Sequence, residues 1–153
     1  DTSVTVGAGL ADSSWRHDGA QPSANSTGMH FGISAVTGDL TVAAGYADGD
    51  KVSGGAGEYE NVDATVTKVG VKYVAGDLTL SAGFTTGEGK DSDTMGTRGT
   101  TIDSKDITEA GVSYAVASGV TANIGWKDIS AKDEGNSDNT GGTSWYVGAS
   151  MSF

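Results

Sequence analysis

The chain has 153 residues, the length of one domain, yet only 36% of them are hydrophobic and 25 are glycine. It has no cysteine, a net charge of −11, and no apolar run of about 18 residues. These features argue against a disulfide-stapled domain, a helical membrane protein and a nucleic-acid-binding protein.

Apolar and polar residues alternate along most of the chain, and a period of two predicts β-strands because successive side chains point to opposite faces. We predict eight strands in chain order, at residues 2–11, 27–37, 39–47, 62–75, 77–86, 106–116, 120–128 and 143–153. The last of these has the strictest alternation, with Trp145, Val147 and Met151 on its apolar face.

A strand–turn–strand unit occurs three times. Residues 31–46 align with residues 69–84 and, with one additional residue in the turn, with residues 110–126. Glycine with aspartate or serine occupies each turn, as short hairpins require. The predicted turns are 37–39, 75–77 and 117–119.

The remaining connections are long, so short turns and long loops alternate. The predicted loops are residues 12–26, 48–61, 87–105 and 129–142. Eight strands with turns at one end and loops at the other predict an all-β, antiparallel up-and-down barrel that spans a membrane.

The apolar faces of the strands carry aromatic residues at both ends. Tyr73, Tyr114 and Phe153 are expected near the turns, and Tyr46, Phe84, Trp126 and Trp145 near the loops. Two such belts around an aliphatic band are typical of a barrel in a bilayer. A half-exposed soluble sandwich is the alternative explanation.

The opposite face is made mostly of glycine, serine and threonine. These residues cannot fill the interior of a closed eight-stranded barrel, but they suit the wall of a wide, water-filled lumen. The ionisable residues predicted on this face are His30, Lys68, Lys72, Glu109 and Lys127, and we expect them to line a pore and tune its ion selectivity. In a purely structural role, Lys68 would pair with Glu109 on an adjacent strand and hold the wall together.

No catalytic constellation is evident, and the only histidines are His17 and His30, so we expect no enzymatic activity. Most of the 20 acidic residues lie in the predicted loops and their edges. They suggest a negative pore mouth that enriches cations, with divalent ions bridging it to lipopolysaccharide. Asp133, Glu134 and Asp138 have calcium-like spacing without the full EF-hand pattern, and Ca²⁺ is the only cofactor considered.

Residues 70–84, 111–126 and 147–153 resemble the C-terminal half of general-diffusion porins from alpha-proteobacteria, within the Gram-negative porin superfamily. The resemblance implies eight strands of a 16-stranded barrel, a homotrimer in the outer membrane, and a third loop folded into the lumen. The N-terminal half and the inward loop are not evident in this sequence. The chain also starts at Asp1 without a methionine, so we expect a processed N-terminus or part of a longer protein.

Residues 1–153 are therefore interpreted as one β-barrel domain or the C-terminal half of a larger barrel. The expected function is passive diffusion of small hydrophilic solutes and ions through a pore, with outer-membrane lipids and lipopolysaccharide as further partners. One alternative is a complete eight-stranded outer-membrane barrel with a structural or adhesive role through its acidic loops. Another is a soluble, glycine-rich β-protein stabilised by calcium.

Overall fold

The computed structural model describes residues 1–15, 24–55, 58–90, 102–132 and 139–152. Eight strands account for nearly all of them. These are β1 (Thr2–Trp15), β2 (Ala24–Thr37), β3 (Leu40–Gly55), β4 (Glu58–Ala75), β5 (Leu78–Lys90), β6 (Asp103–Ala117), β7 (Val120–Lys132) and β8 (Thr140–Met151). Within these ranges, no helix has the length and hydropathy needed to cross a bilayer.

The strands form one sheet in the order of the sequence, and every neighbouring pair is antiparallel. This arrangement confirms the predicted all-β, up-and-down topology. In the described part of the chain, β1 pairs only with β2 and β8 pairs only with β7. The described sheet therefore has two open edges.

The strands are longer than the alternation predicted. A loop was expected at residues 48–61, for example, but β3 continues to Gly55 and β4 begins at Glu58. Backbone groups make the ladder hydrogen bonds, so pairing continues past Ala47, where the face of β3 that carries Val42 and Tyr46 carries Asp48 and Asp50 instead. The predicted loop bounds were wrong for this reason.

The three predicted turns are confirmed. Gly38, Gly76 and Gly119 have φ values of 56°, 59° and 74°, a conformation that favours glycine because it has no Cβ. Each turn is also hydrogen-bonded to the chain at the turn-side end of the strand that follows its hairpin. The Val74 amide donates to the Asp39 carbonyl at 2.9 Å, and the Ser152 amide donates to the Gly119 carbonyl at 2.8 Å.

The register brings most apolar positions of the eight strands to one face. Val42, for example, lies opposite Ala35 on β2 and Val71 on β4, and Val71 lies opposite Ala82 on β5. None of the described hydrophobic side chains is buried. The described sheet is a single layer with a continuous, exposed apolar face, which we call the apolar band. Its large exposed members are Val4, Val6, Leu10, Met29, Phe31, Ile33, Leu40, Val42, Tyr46, Val69, Val71, Tyr73, Leu80, Phe84, Val112, Tyr114, Ile124, Trp145, Val147 and Met151.

Aromatic side chains lie at both ends of the apolar band. Tyr73 and Tyr114 are close to the turns, and at the other end Trp126 and Trp145 lie opposite each other on β7 and β8. Their ring centroids are 6.2 Å apart, with the planes inclined by 53°. This tilted geometry is favourable for an aromatic pair. Phe153, predicted for the belt near the turns, lies outside the described residues.

Candidate functional site

The face opposite the apolar band carries a trough of about 800 Å³, lined by residues of β3 to β8. A flat sheet could not line one trough with six neighbouring strands, so the sheet curves with its polar face on the concave side. The trough floor is largely glycine, with Gly45, Gly70, Gly83 and Gly111 among its residues. Small side chains therefore leave open the space that curvature creates.

The five side chains predicted to line a pore all lie on this concave face. His30 is on β2, Lys68 and Lys72 are on β4, Glu109 is on β6 and Lys127 is on β7. Lys68, Glu109 and Lys127 line the trough, whereas His30 and Lys72 lie beyond it.

The His30 ring lies over β1. A Cβ added to Gly9, which is opposite His30, would overlap the ring. Glycine at position 9 thus allows the imidazole to lie on the sheet surface instead of standing away from it.

The suggested pairing of Lys68 with Glu109 was wrong. Lys68 is on β4 and Glu109 is on β6, with β5 between them, and Glu109 lies opposite Gly83. The carboxylate of Glu109 instead pairs with Lys127 on the adjacent β7, with an Nζ–Oε2 distance of 3.4 Å and about half of each side chain exposed. Lys68 has no ion pair with another described residue.

Tyr146 is a residue that the prediction of pore-lining side chains missed. A Cβ at Gly125, directly opposite on β7, would overlap the ring, and one at Gly111 on β6 would be 3.9 Å from Oη. The ring therefore lies across β7 toward β6 and covers Gly125, which is buried. The alternation in β8 already placed Tyr146 on the polar face. Only the pairing register between β7 and β8 shows that a glycine lies beneath its ring.

Short polar side chains connect the strands of the trough floor and its turn-side border. The Ser81 hydroxyl donates to the Gly111 carbonyl at 3.4 Å, and the Ser113 hydroxyl donates to Asn123 Oδ1 at 2.7 Å. The side-chain amide of Asn123 in turn donates to the Thr121 carbonyl of the same strand at 3.4 Å. Among the residues that line the trough, Lys68, Glu109, Lys127 and Tyr146 are therefore the long polar side chains that can reach a solute.

Seven of the acidic residues predicted in the loops or at their edges lie on strands, with their side chains on the convex face directly beyond the apolar band. They are Asp12, Asp48, Asp50, Asp63, Glu88, Asp106 and Asp128. The strand register sets the orientation of these side chains. A prediction that placed the residues in loops could not give it. Thr143 donates to Asp128 at 2.6 Å and Tyr46 to Asp48 at 3.1 Å, so both carboxylates are hydrogen-bonded on that face.

The predicted calcium ligands Asp133, Glu134 and Asp138 lie outside the described residues. In the part of the chain that is described, no group of three or more histidine, aspartate or glutamate side chains could hold a metal ion.

Comparisons with protein-family models, with curated proteins and with solved structures found no match to this chain. The resemblance to porins therefore rests on the residue patterns of the sequence.

Proposed function

We propose that this chain forms part of the wall of an outer-membrane pore through which small hydrophilic solutes and ions diffuse passively. The observation that carries the proposal is the division of one curved sheet into two chemically opposite faces. The convex face has exposed aliphatic and aromatic side chains on all eight strands, and the concave face is mainly glycine, hydroxyl-bearing and charged residues, with Val66, Ile107 and Ile129 toward its loop side. Lipid on one side and water on the other would satisfy both faces.

The chemistry of the convex face favours a bilayer over a protein partner as its cover. Large apolar side chains occur on every strand, and tyrosine and tryptophan occur at the two ends of the band. Amphipathic rings prefer the headgroup zones, and an aliphatic band between them matches the hydrocarbon layer. The carboxylates beyond the band would then lie in the aqueous layer outside a Gram-negative outer membrane, near lipid and lipopolysaccharide headgroups.

The concave face supports a wide lumen and a barrel larger than eight strands. An eight-stranded barrel is just wide enough for side chains to fill, and a floor of glycine and serine could not fill it. The described β1 and β8 also have no partner on their outer sides. We therefore propose that further strands complete a 16-stranded barrel, which assembles as a homotrimer and sieves solutes by width and charge without catalysing a reaction.

Planar-bilayer recording on the full-length protein tests this function. We expect stable channels whose current rises linearly with voltage, since a fixed water-filled lumen needs no gating step. Absence of such channels from protein shown to be inserted in the bilayer would reject the pore. A structural or adhesive barrel would then be the better interpretation.

The need for detergent is the control for the membrane assignment. The apolar band should make the folded protein depend on detergent or lipid for solubility. A protein that remains folded and monodisperse after detergent removal would support the soluble β-protein and reject both barrel hypotheses.

A further inference from the structure

Tyr146 differs from every other aromatic residue whose side chain is described. By the strand register, the other phenylalanine, tyrosine and tryptophan side chains that are described lie on the apolar band, whereas Tyr146 lies on the opposite face, in the trough. Its ring rests on Gly125 and its hydroxyl reaches toward Gly111, yet 61% of the side chain is exposed. One face of the ring is therefore against the sheet and the other is open to the trough.

The charged side chains that line the trough are Lys127 on the adjacent β7, Glu109 on β6 and Lys68 farther away on β4. Lys127 is a diagonal cross-strand neighbour of Tyr146, and residues in such pairs are about 7–8 Å apart. Glu109 pairs with Lys127, and Lys68 lines the same trough without an ion-pair partner in the described residues. Two lysines and one carboxylate leave one positive charge in a chain that is strongly acidic as a whole.

We infer that the trough preferentially holds small organic anions that carry a ring, with aromatic carboxylates as the best match. An aromatic ring would stack in an offset geometry on the open face of Tyr146. The carboxylate would accept hydrogen bonds from the ammonium group of Lys127, and Lys68 offsets the repulsion from Glu109. A trough of about 800 Å³ has the size of a small-molecule site. This inference rests on the proposed pore, because it names the solute class that the wall retains.

The test uses the full-length protein in planar bilayers, with sodium benzoate and sodium acetate as probes. Benzoate should reduce the chloride-carried current at concentrations at which acetate does not, because only benzoate can stack. Tyr146→Ser should raise the half-blocking concentration of benzoate about two- to tenfold, the range expected for one aromatic pair. Tyr146→Phe keeps the ring and should retain the block.

Gly125→Ala provides a second variant in case Tyr146→Ser does not assemble. Its added methyl group occupies the place of the ring, so it should weaken the benzoate block while leaving the acetate response unchanged. Equal block by benzoate and acetate, or an unchanged block in Tyr146→Ser or Gly125→Ala, would overturn the inference with the pore intact. If inserted protein forms no channel, the proposed function fails and the solute selection fails with it.

Discussion

Replacing Val71 by arginine tests the assignment of the two faces most directly. Val71 lies on the apolar band between the belts, since Tyr73 is two residues nearer the turn and Tyr46 lies opposite Thr67 on β4. Its side chain is 41% exposed in the described sheet, so lipid would be its main remaining contact. An arginine facing lipid near the midplane of a barrel costs about 2–4 kcal/mol.

The same residue placed one position away is the matched control. Gly70 points into the trough, and a Cβ added there would be 3.6 Å from the Ala82 carbonyl oxygen, an ordinary contact. Gly70→Arg therefore extends its side chain into water, and we expect a change within about 0.5 kcal/mol, as for other surface substitutions. Val71→Arg should lower the folding equilibrium constant about 30- to 900-fold, at 1.36 kcal/mol for each factor of ten.

The measurement is equilibrium urea unfolding of the full-length protein in phospholipid vesicles, followed by tryptophan fluorescence. Both variants and the parent protein would be compared in the same lipid. If Gly70→Arg lost as much stability as Val71→Arg, the two faces would be equivalent in environment. A larger loss for Gly70→Arg would mean that the face assignment is reversed, as a one-residue shift in register produces.

Three further predictions concern the turns and the trough. Gly38→Ala should lower the free energy of unfolding by about 1–2 kcal/mol because of its positive φ alone. Gly119→Ala should lower it more in urea unfolding, because the added Cβ would also be 2.5 Å from the Ser152 carbonyl oxygen. A double-mutant cycle with Lys127→Met and Glu109→Gln should give a coupling free energy of only about 0.2–1 kcal/mol, since the ion pair is half-exposed. A coupling free energy well above this range would mean that the pair is less accessible to water. Lys68→Glu should shift the reversal potential toward cation selectivity at 0.1 M salt. The shift should be much smaller at 1 M salt, because the Debye length falls from about 10 Å to about 3 Å. An unchanged reversal potential at low salt would show that Lys68 is not part of the pore wall.

The topology and the faces were predictable from the sequence because both depend on local patterns. Alternation in β8 separated Trp145 and Val147 from Tyr146, and glycine marked each tight turn. The strand ends were not predictable in the same way. At Asp48 and Asp50 the face that carries Val42 and Tyr46 becomes acidic, so the apolar half of the alternation in β3 ends although backbone pairing continues.

The candidate site was predictable only as a set of side chains on one face. Their contacts depend on which strands are neighbours and on the register between them. Glu109 meets Lys127 because β6 and β7 form a hairpin, whereas β5 separates it from Lys68. Tyr146 covers Gly125 because these two residues are directly opposite, a relation that alternation within one strand cannot give.

Other glycines of the concave face bear on how such a wall could diversify. A Cβ added at Gly7, Gly142 or Gly148 would meet nothing within 4 Å, and all three residues lie on the concave face. Mutations at these positions would narrow the proposed pore or change the charge of its lining one side chain at a time. They would not alter the face that we assign to lipid. In the proposed pore, substitutions at these positions would therefore adapt permeability to new solutes while the proposed lipid-facing side stays the same.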